Sequence, residues 1–363
     1  MAMPALLESL RASAYVIPTD GPEEDGTYRW ESTTLVLVEA SAGGRIGIGY
    51  TYSHAAIAHL ISDSFQPLLL GIDVFASGAA WQAMLWSVRN LGRAGLCATA
   101  IAAVDAALWD LKGRLLGVPV VALLGQTRRE VPVYGSGGFT SYTQTRLREQ
   151  LGGWARQGIR WVKMKIGARP HEDYARVQDA REAIGQAGLF VDANGAYSRK
   201  QALEFAERFA ELGVTWFEEP VSSDDLEGLR LLRDRAPGGM DIAAGEYGYD
   251  GLYFRRMLEA EAVDVLQADA SRCLGITGFL EAASLAAAHN LDLSCHCAPA
   301  LHLHAACAAP RLRHIEWFYD HVRIEEMLFD GAPRLQRGAI APDLSRPGLG
   351  IDFKYSDAAR FAR

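Results

Sequence analysis

The chain has 363 residues, of which 49% are hydrophobic and 22% are charged, an ordinary composition for a globular protein of one large domain or two. Its net charge of −8 provides no basic surface, so neither nucleic acid nor an anionic membrane is expected as a partner. No apolar run reaches the roughly 18 residues of a membrane span. No signal peptide is apparent, and the five cysteines have no framework spacing, so we expect a reduced, cytoplasmic protein.

The first third of the chain predicts a small α+β domain over residues 1–125. Short runs of β-branched and aromatic residues predict strands at 13–17, 33–40 and 45–52. Apolar periodicity predicts helices near 54–70, 76–90 and 94–116, the last ending at Gly117 and Pro119. Strands followed by helices are typical of a separate α+β unit.

From residue 126 the pattern changes to short apolar runs that alternate with helical segments. The predicted strands lie at 131–137, 160–167, 188–195, 214–220, 240–247, 262–269, 291–297 and 314–318. Eight such alternations indicate a TIM-type barrel over residues 126–340. An open doubly wound sheet is the alternative, but no GxGxxG motif opens a helix. The remaining segment, 341–363, is expected to return to the first domain.

Polar residues cluster where the predicted barrel strands end, which is where barrel enzymes place their active sites. They are Lys163, Lys165, Asp192, Asn194, Glu218, Glu246, Asp269, His296 and Glu316. Any one of them could simply be a strand end that meets solvent. An acid, a base or a lysine at seven consecutive strand ends favours a catalytic site.

Lys163 and Lys165 are two residues apart on one strand, so both side chains face the same way. Repulsion between two close ammonium groups lowers a lysine pKa, which predicts a neutral amine able to act as a base. The alternative is a pair of surface lysines.

Asp192, Glu218 and Glu246 follow three successive strands and would converge on one point. Three carboxylates without Cys or His ligands suit Mg²⁺, although ion pairs with Lys or Arg across the barrel are the alternative. In the Glu218-Glu219 pair the two side chains should face opposite ways, so we assign the metal ligand to Glu218.

His296 stands between Cys295 and Cys297, a string that suggests zinc. Strand alternation turns both cysteines away from His296, which argues against a shared metal. Asp269, one strand earlier, could instead hold one ring nitrogen and leave the other free for proton transfer. Glu316, if protonated, could donate a hydrogen bond to a substrate carboxylate; an ion pair with Arg313 or Arg323 is the alternative.

These motifs resemble the enolase superfamily, and within it the mandelate racemase group, over nearly the whole chain. The matching motifs are KMK (163–165), VDANG (191–195), FEEP (217–220), AGE (244–246), the Asp269/His296 pair and Glu316. The resemblance implies an N-terminal α+β capping domain before a (β/α)7β barrel, with Mg²⁺ bound by the three carboxylates. It implies that Lys165 is a base and Lys163 its modulator, and that the protein is a homo-oligomer.

The resemblance also implies a small carboxylate-bearing substrate that loses the proton next to its carboxylate. The sixth barrel strand ends without a lysine, which disfavours cycloisomerase or dipeptide epimerase chemistry. The polar segment 18–30 ends in Tyr28, Arg29 and Trp30, which together with Asn194 are candidate substrate-binding residues, although the segment could be only a solvated lid. We therefore expect dehydration of a sugar acid; the alternatives are a 2-hydroxy-acid racemase or epimerase and a non-catalytic barrel.

Overall fold

The computed structural model describes residues 4–363 of the chain. Near the N-terminus, three antiparallel strands form a sheet: β1 (Ser9–Glu24), β2 (Arg29–Ala42) and β3 (Arg45–Tyr52). Because side chains alternate along a strand, Val36 and Val38 pack against the helices of this region. Leu35 and Leu37 face the other way and join the core that includes the barrel. The sheet therefore lies between two apolar layers.

The first strand is much longer than the predicted segment 13–17. It continues to Glu24, with a register irregularity between Pro18 and Glu23, and pairs with the start of β2. The irregularity places three more residues on β1 than on β2, and it bends the strand without ending it. Segment 18–30, predicted as a loop, is thus mostly a hairpin; we call residues 18–33 the cap hairpin.

The helices of the cap pack on one face of this sheet. Their bounds are α1 (Ile57–Leu60), a π-helical turn (Ile61–Phe65), α2 (Gln66–Leu69), α3 (Ser77–Ser87), α4 (Leu96–Leu116) and α5 (Val120–Leu124). Helix α4 lies directly on β3, because a Cβ at Gly49 would come within 2.3 Å of the Ala103 carbonyl oxygen. It ends at Gly117, whose φ of 68° suits glycine.

Eight parallel strands form a closed barrel, since the last strand pairs with the first. They are β4 (Val131–Gly137), β5 (Trp161–Lys165), β6 (Gly188–Asp192), β7 (Val214–Glu218), β8 (Asp241–Ala244), β9 (Val265–Ala268), β10 (Asp292–Cys295) and β11 (Leu312–Phe318). The fold predicted from the sequence, a TIM-type barrel with an N-terminal α+β cap, is confirmed.

A helix follows each barrel strand and covers it from outside. They are α6 (Gln144–Arg156), α7 (Pro170–Ala183), α8 (Arg199–Glu211), α9 (Leu226–Arg235), α10 (Gly251–Glu259), α11 (Gly275–Ala288), α12 (Pro299–Ala308) and α13 (Tyr319–Leu328). Within residues 4–363, no helix has both the length and the apolar character needed to cross a membrane.

Aromatic side chains fill the barrel interior beside the polar strand ends. Tyr134, Phe190, Trp216 and His314, which we call the aromatic plug, have ring centroids between 4.7 and 6.3 Å apart for the pairs in contact. All four are almost completely buried. The aromatic plug therefore fills the barrel below the polar strand ends. A substrate can enter only from the mouth at the carboxyl ends of the strands.

The last part of the chain forms short strands β12 (Phe329–Asp330), β13 (Ala339–Ile340) and β14 (Asp352–Phe353), and helix α14 (Tyr355–Ala358). Strand β14 pairs with β12, and β13 pairs with β4. The Leu349 N–H donates to the Asp110 carboxylate of α4 at 2.6 Å, and the Arg363 N–H donates to the Ala14 carbonyl at 3.0 Å. This segment thus contacts both the barrel and the cap.

Candidate active site

Three acidic side chains meet at the barrel mouth. Asp192 and Glu218 are the last residues of β6 and β7 and are register partners, and Glu246 lies two residues beyond β8. One carboxylate oxygen from each lies within 4.8 Å of the others, and all three residues are at most 2% exposed. We call these residues the carboxylate triad.

The carboxylate triad has the properties of a Mg²⁺ site. All of its donor atoms are oxygens, the ligand type that Mg²⁺ prefers. Glu246 Oε2 is buried, and His296 Nε2 lies 3.1 Å from it. Burial, reinforced by the neighbouring Asp192 carboxylate, raises the pKa of Glu218 above its ordinary value. Buried carboxylates that repel one another in this way are stabilised by a cation between them.

Lys163 and Lys165 both point into the mouth, as the spacing predicted. Lys165 Nζ lies 2.5 Å from Asp192 Oδ2. Lys163 contacts Glu218, and its Nζ lies 2.9 Å from Glu316 and 3.5 Å from Asp192.

The expected lowering of a lysine pKa is not found in this arrangement. Burial lowers the pKa of Lys165 and Lys163 lowers it further, but the Asp192 carboxylate and more distant acids raise it more. The net shift is upward because the attraction between the ammonium group and the nearby carboxylates outweighs both burial and the repulsion from the other lysine. The sequence showed the spacing of the lysines but not these cross-strand acids.

His296 and Asp269 form a hydrogen-bonded dyad. His296 Nδ1 lies 2.8 Å from Asp269 Oδ2, and the other Asp269 oxygen accepts from the Ser271 N–H and hydroxyl, both at 2.7 Å. The ring is therefore oriented through Nδ1, and Nε2 faces the mouth 3.1 Å from Glu246 Oε2. This is the arrangement that leaves one histidine nitrogen free for proton transfer.

Glu316 is paired with a lysine rather than with either arginine proposed as an alternative. Arg313 contacts Asp241 and Asp292, and Arg323 contacts Asp320. Glu316 Oε2 accepts the Cys297 N–H at 2.8 Å, while Oε1 lies near Lys163.

The charged groups around Glu316 affect its protonation state. Burial raises the pKa of this carboxyl group, but the Lys163 ammonium and His296 lower it more, so its pKa lies below the ordinary value. Lys163 and His296 therefore favour the carboxylate form of Glu316, whereas the hydrogen bond to a substrate considered from the sequence requires the protonated form.

The orientation predicted for Cys297 is wrong. Cys295 is buried in the hydrophobic core, as alternation predicted, but β10 ends there. Cys297 and Ala298 have positive φ values of 52° and 39°, which turn the chain back toward the mouth. Cys297 Sγ consequently lies 3.3 Å from His296 Nε2. The rule of alternating faces holds only while the strand continues.

The cap hairpin covers the mouth and encloses a cavity of about 300 Å³. Tyr28 and Trp30 line this cavity, together with Asn194 of the barrel. Arg29, between the two aromatics, faces the opposite side, is 57% exposed at its side chain and lies 3.9 Å from Glu31. The structure therefore brings three of the four predicted substrate-binding residues to the cavity and places Arg29 outside it.

Arg272 and Tyr247 are among the cavity residues that were not predicted from the sequence. Arg272 donates to the Glu246 carbonyl at 3.1 Å, and its guanidinium lies 3.5 Å from both Glu246 Oε1 and Asp269 Oδ2. Tyr247 lines the same wall. Both follow strand ends by two or more residues, beyond the positions that strand periodicity marks. Proximity to Asp269 in the sequence was the one available signal for Arg272.

Comparison with known proteins agrees with this geometry. Residues 22–125 match the family described as mandelate racemase / muconate lactonizing enzyme, N-terminal domain. Residues 146–358 match the enolase C-terminal domain-like family. The chain belongs to the mandelate racemase group of the enolase superfamily. It is accordingly an enzyme of that superfamily, and the resemblance inferred from the site motifs is confirmed.

The curated relatives of this family member act on sugar acids, as their names state. The chain is 32% identical to the 3,6-anhydro-alpha-L-galactonate cycloisomerase of Streptomyces coelicolor, over 98% of this chain and 99% of the relative. It is also 32% identical to the L-talarate/galactarate dehydratase of Salmonella typhimurium, over 98% and 90%. The name of the first of these relatives shows that cycloisomerase chemistry occurs among proteins similar to this chain.

Solved structures share this fold, and one of the two described here contains magnesium. A mandelate racemase/muconate lactonizing enzyme-like protein from Rubrobacter xylanophilus is 52% identical, with a TM-score of 0.96 over 98% of this chain and 99% of that chain. A racemase from Streptomyces coelicolor with bound magnesium is 31% identical, with a TM-score of 0.92 over 99% and 100%. Mg²⁺ is the cofactor of this family, as the sequence predicted.

Proposed function

We propose that this enzyme dehydrates a sugar acid to a 2-keto-3-deoxy acid. The observation that carries the proposal is that Lys165 and His296 both line the cavity beside the carboxylate triad. One group can therefore remove a proton while the other supplies one. The relatives named as dehydratases support the same reaction class.

The cavity walls suit a hydroxylated substrate. Asp25, Thr27 and Thr33 of the cap hairpin contribute carboxylate and hydroxyl groups to the lining, and Asn194 and Arg272 contribute an amide and a guanidinium from the barrel. Asn194 Oδ1 is buried and makes no hydrogen bond within the described chain. An unpaired buried acceptor of this kind is satisfied when a substrate hydroxyl donates to it.

Proton transfer is assigned to the residues whose free atoms reach the cavity. Lys165 or His296 removes the C2 proton of the bound substrate. His296 then donates a proton to the C3 hydroxyl, which leaves as water, and the enol product tautomerises to the 2-keto-3-deoxy acid. Bound Mg²⁺ supplies positive charge that stabilises the negative charge developing on the substrate carboxylate. Lys163 holds Glu316 in place on the adjoining wall.

Racemisation or epimerisation of a 2-hydroxy acid is the second candidate. It is favoured by the same observation, because Lys165 and His296 could exchange the C2 proton without loss of a hydroxyl group. The two candidates differ only in whether the C3 hydroxyl departs.

The test is a screen of the Mg²⁺-loaded protein against mono- and diacid sugars, followed by assays for 2-keto-3-deoxy products and, in D₂O, for exchange of the C2 proton. We expect Lys165→Ala and His296→Asn to abolish product formation. Exposed Lys200 and His59 provide the matched controls Lys200→Ala and His59→Asn. Exchange without dehydration would favour the racemase or epimerase. Full dehydration by Lys165→Ala would contradict the assignment of the base.

A further inference from the structure

We propose that His296, Cys297 and Glu316 form a second metal site, selective for zinc-like cations and distinct from the carboxylate triad. One ligand atom from each of the three residues lies within 4.8 Å of the others, and all three residues are buried. The set contains a nitrogen, a sulfur and an oxygen, which is the ligand chemistry of Zn²⁺ rather than of Mg²⁺.

The distances between the ligand atoms fit a tetrahedral ion. Zn–S bonds of about 2.3 Å and Zn–N or Zn–O bonds of about 2.0–2.2 Å place neighbouring ligand atoms roughly 3.4–3.6 Å apart. Cys297 Sγ lies 3.3 Å from His296 Nε2, and Glu316 Oε2 lies 3.7 Å from the same nitrogen. Both distances are within a few tenths of an ångström of these values, and the distance from Cys297 Sγ to the Glu316 ligand oxygen is at most 4.8 Å. The three atoms can therefore occupy three corners of a tetrahedron, and the cavity leaves the fourth for water.

Neighbouring residues already orient these ligands. Asp269 engages His296 Nδ1 at 2.8 Å, which leaves Nε2 as the ligand nitrogen. A carboxylate behind a metal-bound histidine is a common arrangement at zinc sites. The Cys297 N–H donates to Glu316 Oε2, which fixes that carboxylate beside the sulfur. The positive φ of Cys297 turns its side chain into the mouth, so the site depends on the backbone conformation after β10.

Binding requires loss of the thiol proton. Burial, together with the Glu316 carboxylate, raises the pKa of Cys297 to about 12, so the thiol is protonated at neutral pH. When the cation binds, the Cys297 S–H bond and the His296 Nε2–H bond break, both protons pass to solvent, and sulfur–metal and nitrogen–metal bonds form. His296 would then have no free nitrogen. We therefore expect zinc to inhibit turnover. This expectation depends on the proposed catalytic role of His296, whereas the metal site itself does not.

The test uses Co²⁺ as a coloured substitute for Zn²⁺, added to the protein in excess Mg²⁺. A cobalt–thiolate bond produces a charge-transfer band in the near ultraviolet, which the all-oxygen carboxylate triad cannot produce. We expect this band in the wild type, at one cobalt per chain, and its loss when Zn²⁺ is added. Cys297→Ser should remove the band. Cys97→Ser, in helix α4 of the cap, should retain it.

Two further measurements keep the proposal testable if Cys297→Ser does not fold. Cys297→Ala provides a second variant, and X-ray absorption of the zinc-loaded wild type should show one sulfur at about 2.3 Å. Absence of the band and of the sulfur from the wild type, or a band that persists without Cys297, would overturn the proposal. None of these readouts depends on the substrate, so failure of the proposed dehydration would leave them unchanged.

Inhibition is measured separately once a substrate is known. The ratio of rates with and without Zn²⁺, at saturating Mg²⁺, should fall at least about tenfold in the wild type and stay near one in Cys297→Ser. Because each protein is compared with itself, a change in the basal rate of the variant does not affect the result. Zinc binding without inhibition would contradict the inhibitory consequence and the role of His296, but not the site.

Discussion

Replacing Asp269 by Asn should reverse the proton arrangement on His296. One Asp269 oxygen accepts two hydrogen bonds from Ser271, of which at least the backbone N–H can only donate. The carbonyl oxygen of an Asn side chain would therefore stay with Ser271, and its NH₂ group would face His296 Nδ1. That nitrogen must then accept, so whenever the ring is neutral its single proton lies on Nε2, the atom that faces the cavity.

The magnitude follows from the charge that the substitution removes. A carboxylate and an imidazolium about 4 Å apart interact by about 4 kcal/mol at an effective dielectric constant of about 20. Each 1.36 kcal/mol changes a rate about tenfold, so any step that makes His296 cationic should slow roughly a thousandfold. An Asp→Asn change behind a catalytic histidine in a serine protease has an effect of this order.

Two assays check this prediction. The kcat of Asp269→Asn is measured on the substrate found by screening, with the exposed substitution Asp357→Asn as a control. Nitrogen-15 NMR of labelled histidine reports, without any substrate, which ring nitrogen of His296 carries the proton. A kcat within tenfold of the wild type, with Nδ1 still protonated, would refute the reasoning.

Two other predictions concern the metal and pH. Glu246→Gln should weaken Mg²⁺ binding by at least about tenfold by calorimetry, whereas exposed Glu204→Gln should not; equal affinities would remove Glu246 from the ligand set. Buried His304 accepts from the Val121 N–H and donates to the Leu349 carbonyl, and burial lowers its pKa to about 4. Since its unfolded pKa is about 6.5, its stabilising contribution is present above pH 6.5 and is lost as pH falls toward 4. Between pH 7 and pH 5, urea unfolding should show the wild type losing about 2 kcal/mol more than His304→Gln, whereas parallel losses would contradict the prediction.

The barrel and the meeting of the three carboxylates could be predicted because both depend on local pattern. Each strand is a short apolar run between helices, and parallel register places the ends of neighbouring strands together. Lys165, Asp192 and Glu218 are consecutive register partners at three strand ends, so predicting the strands also predicted their meeting. Alternation gave the correct inward direction for Lys163 in the same way.

The errors occurred where regular structure ends or where partners come from distant parts of the chain. Cys297 lies two residues past its strand, where a positive φ cancels the alternation rule. Arg272 lies in the turn before α11, which strand periodicity does not address. Segment 18–30 was expected to be a polar loop of the cap, yet β1 continues through it to Glu24 across a register irregularity. The lysine pKa shifts depend on carboxylates that are close only after folding.

The aromatic plug leaves the barrel with a single opening, and this limits how molecules enter and leave the active site. The substrate must enter, and product and water must leave, past Tyr28 and Trp30 of the cap hairpin. Substrate selectivity and product release therefore depend on the same opening. A change of substrate preference made in this hairpin would alter residence time as well. A change at Trp216 of the plug would act on the carboxylate triad instead, because the Trp216 indole N–H donates to Glu218 Oε2 at 2.8 Å.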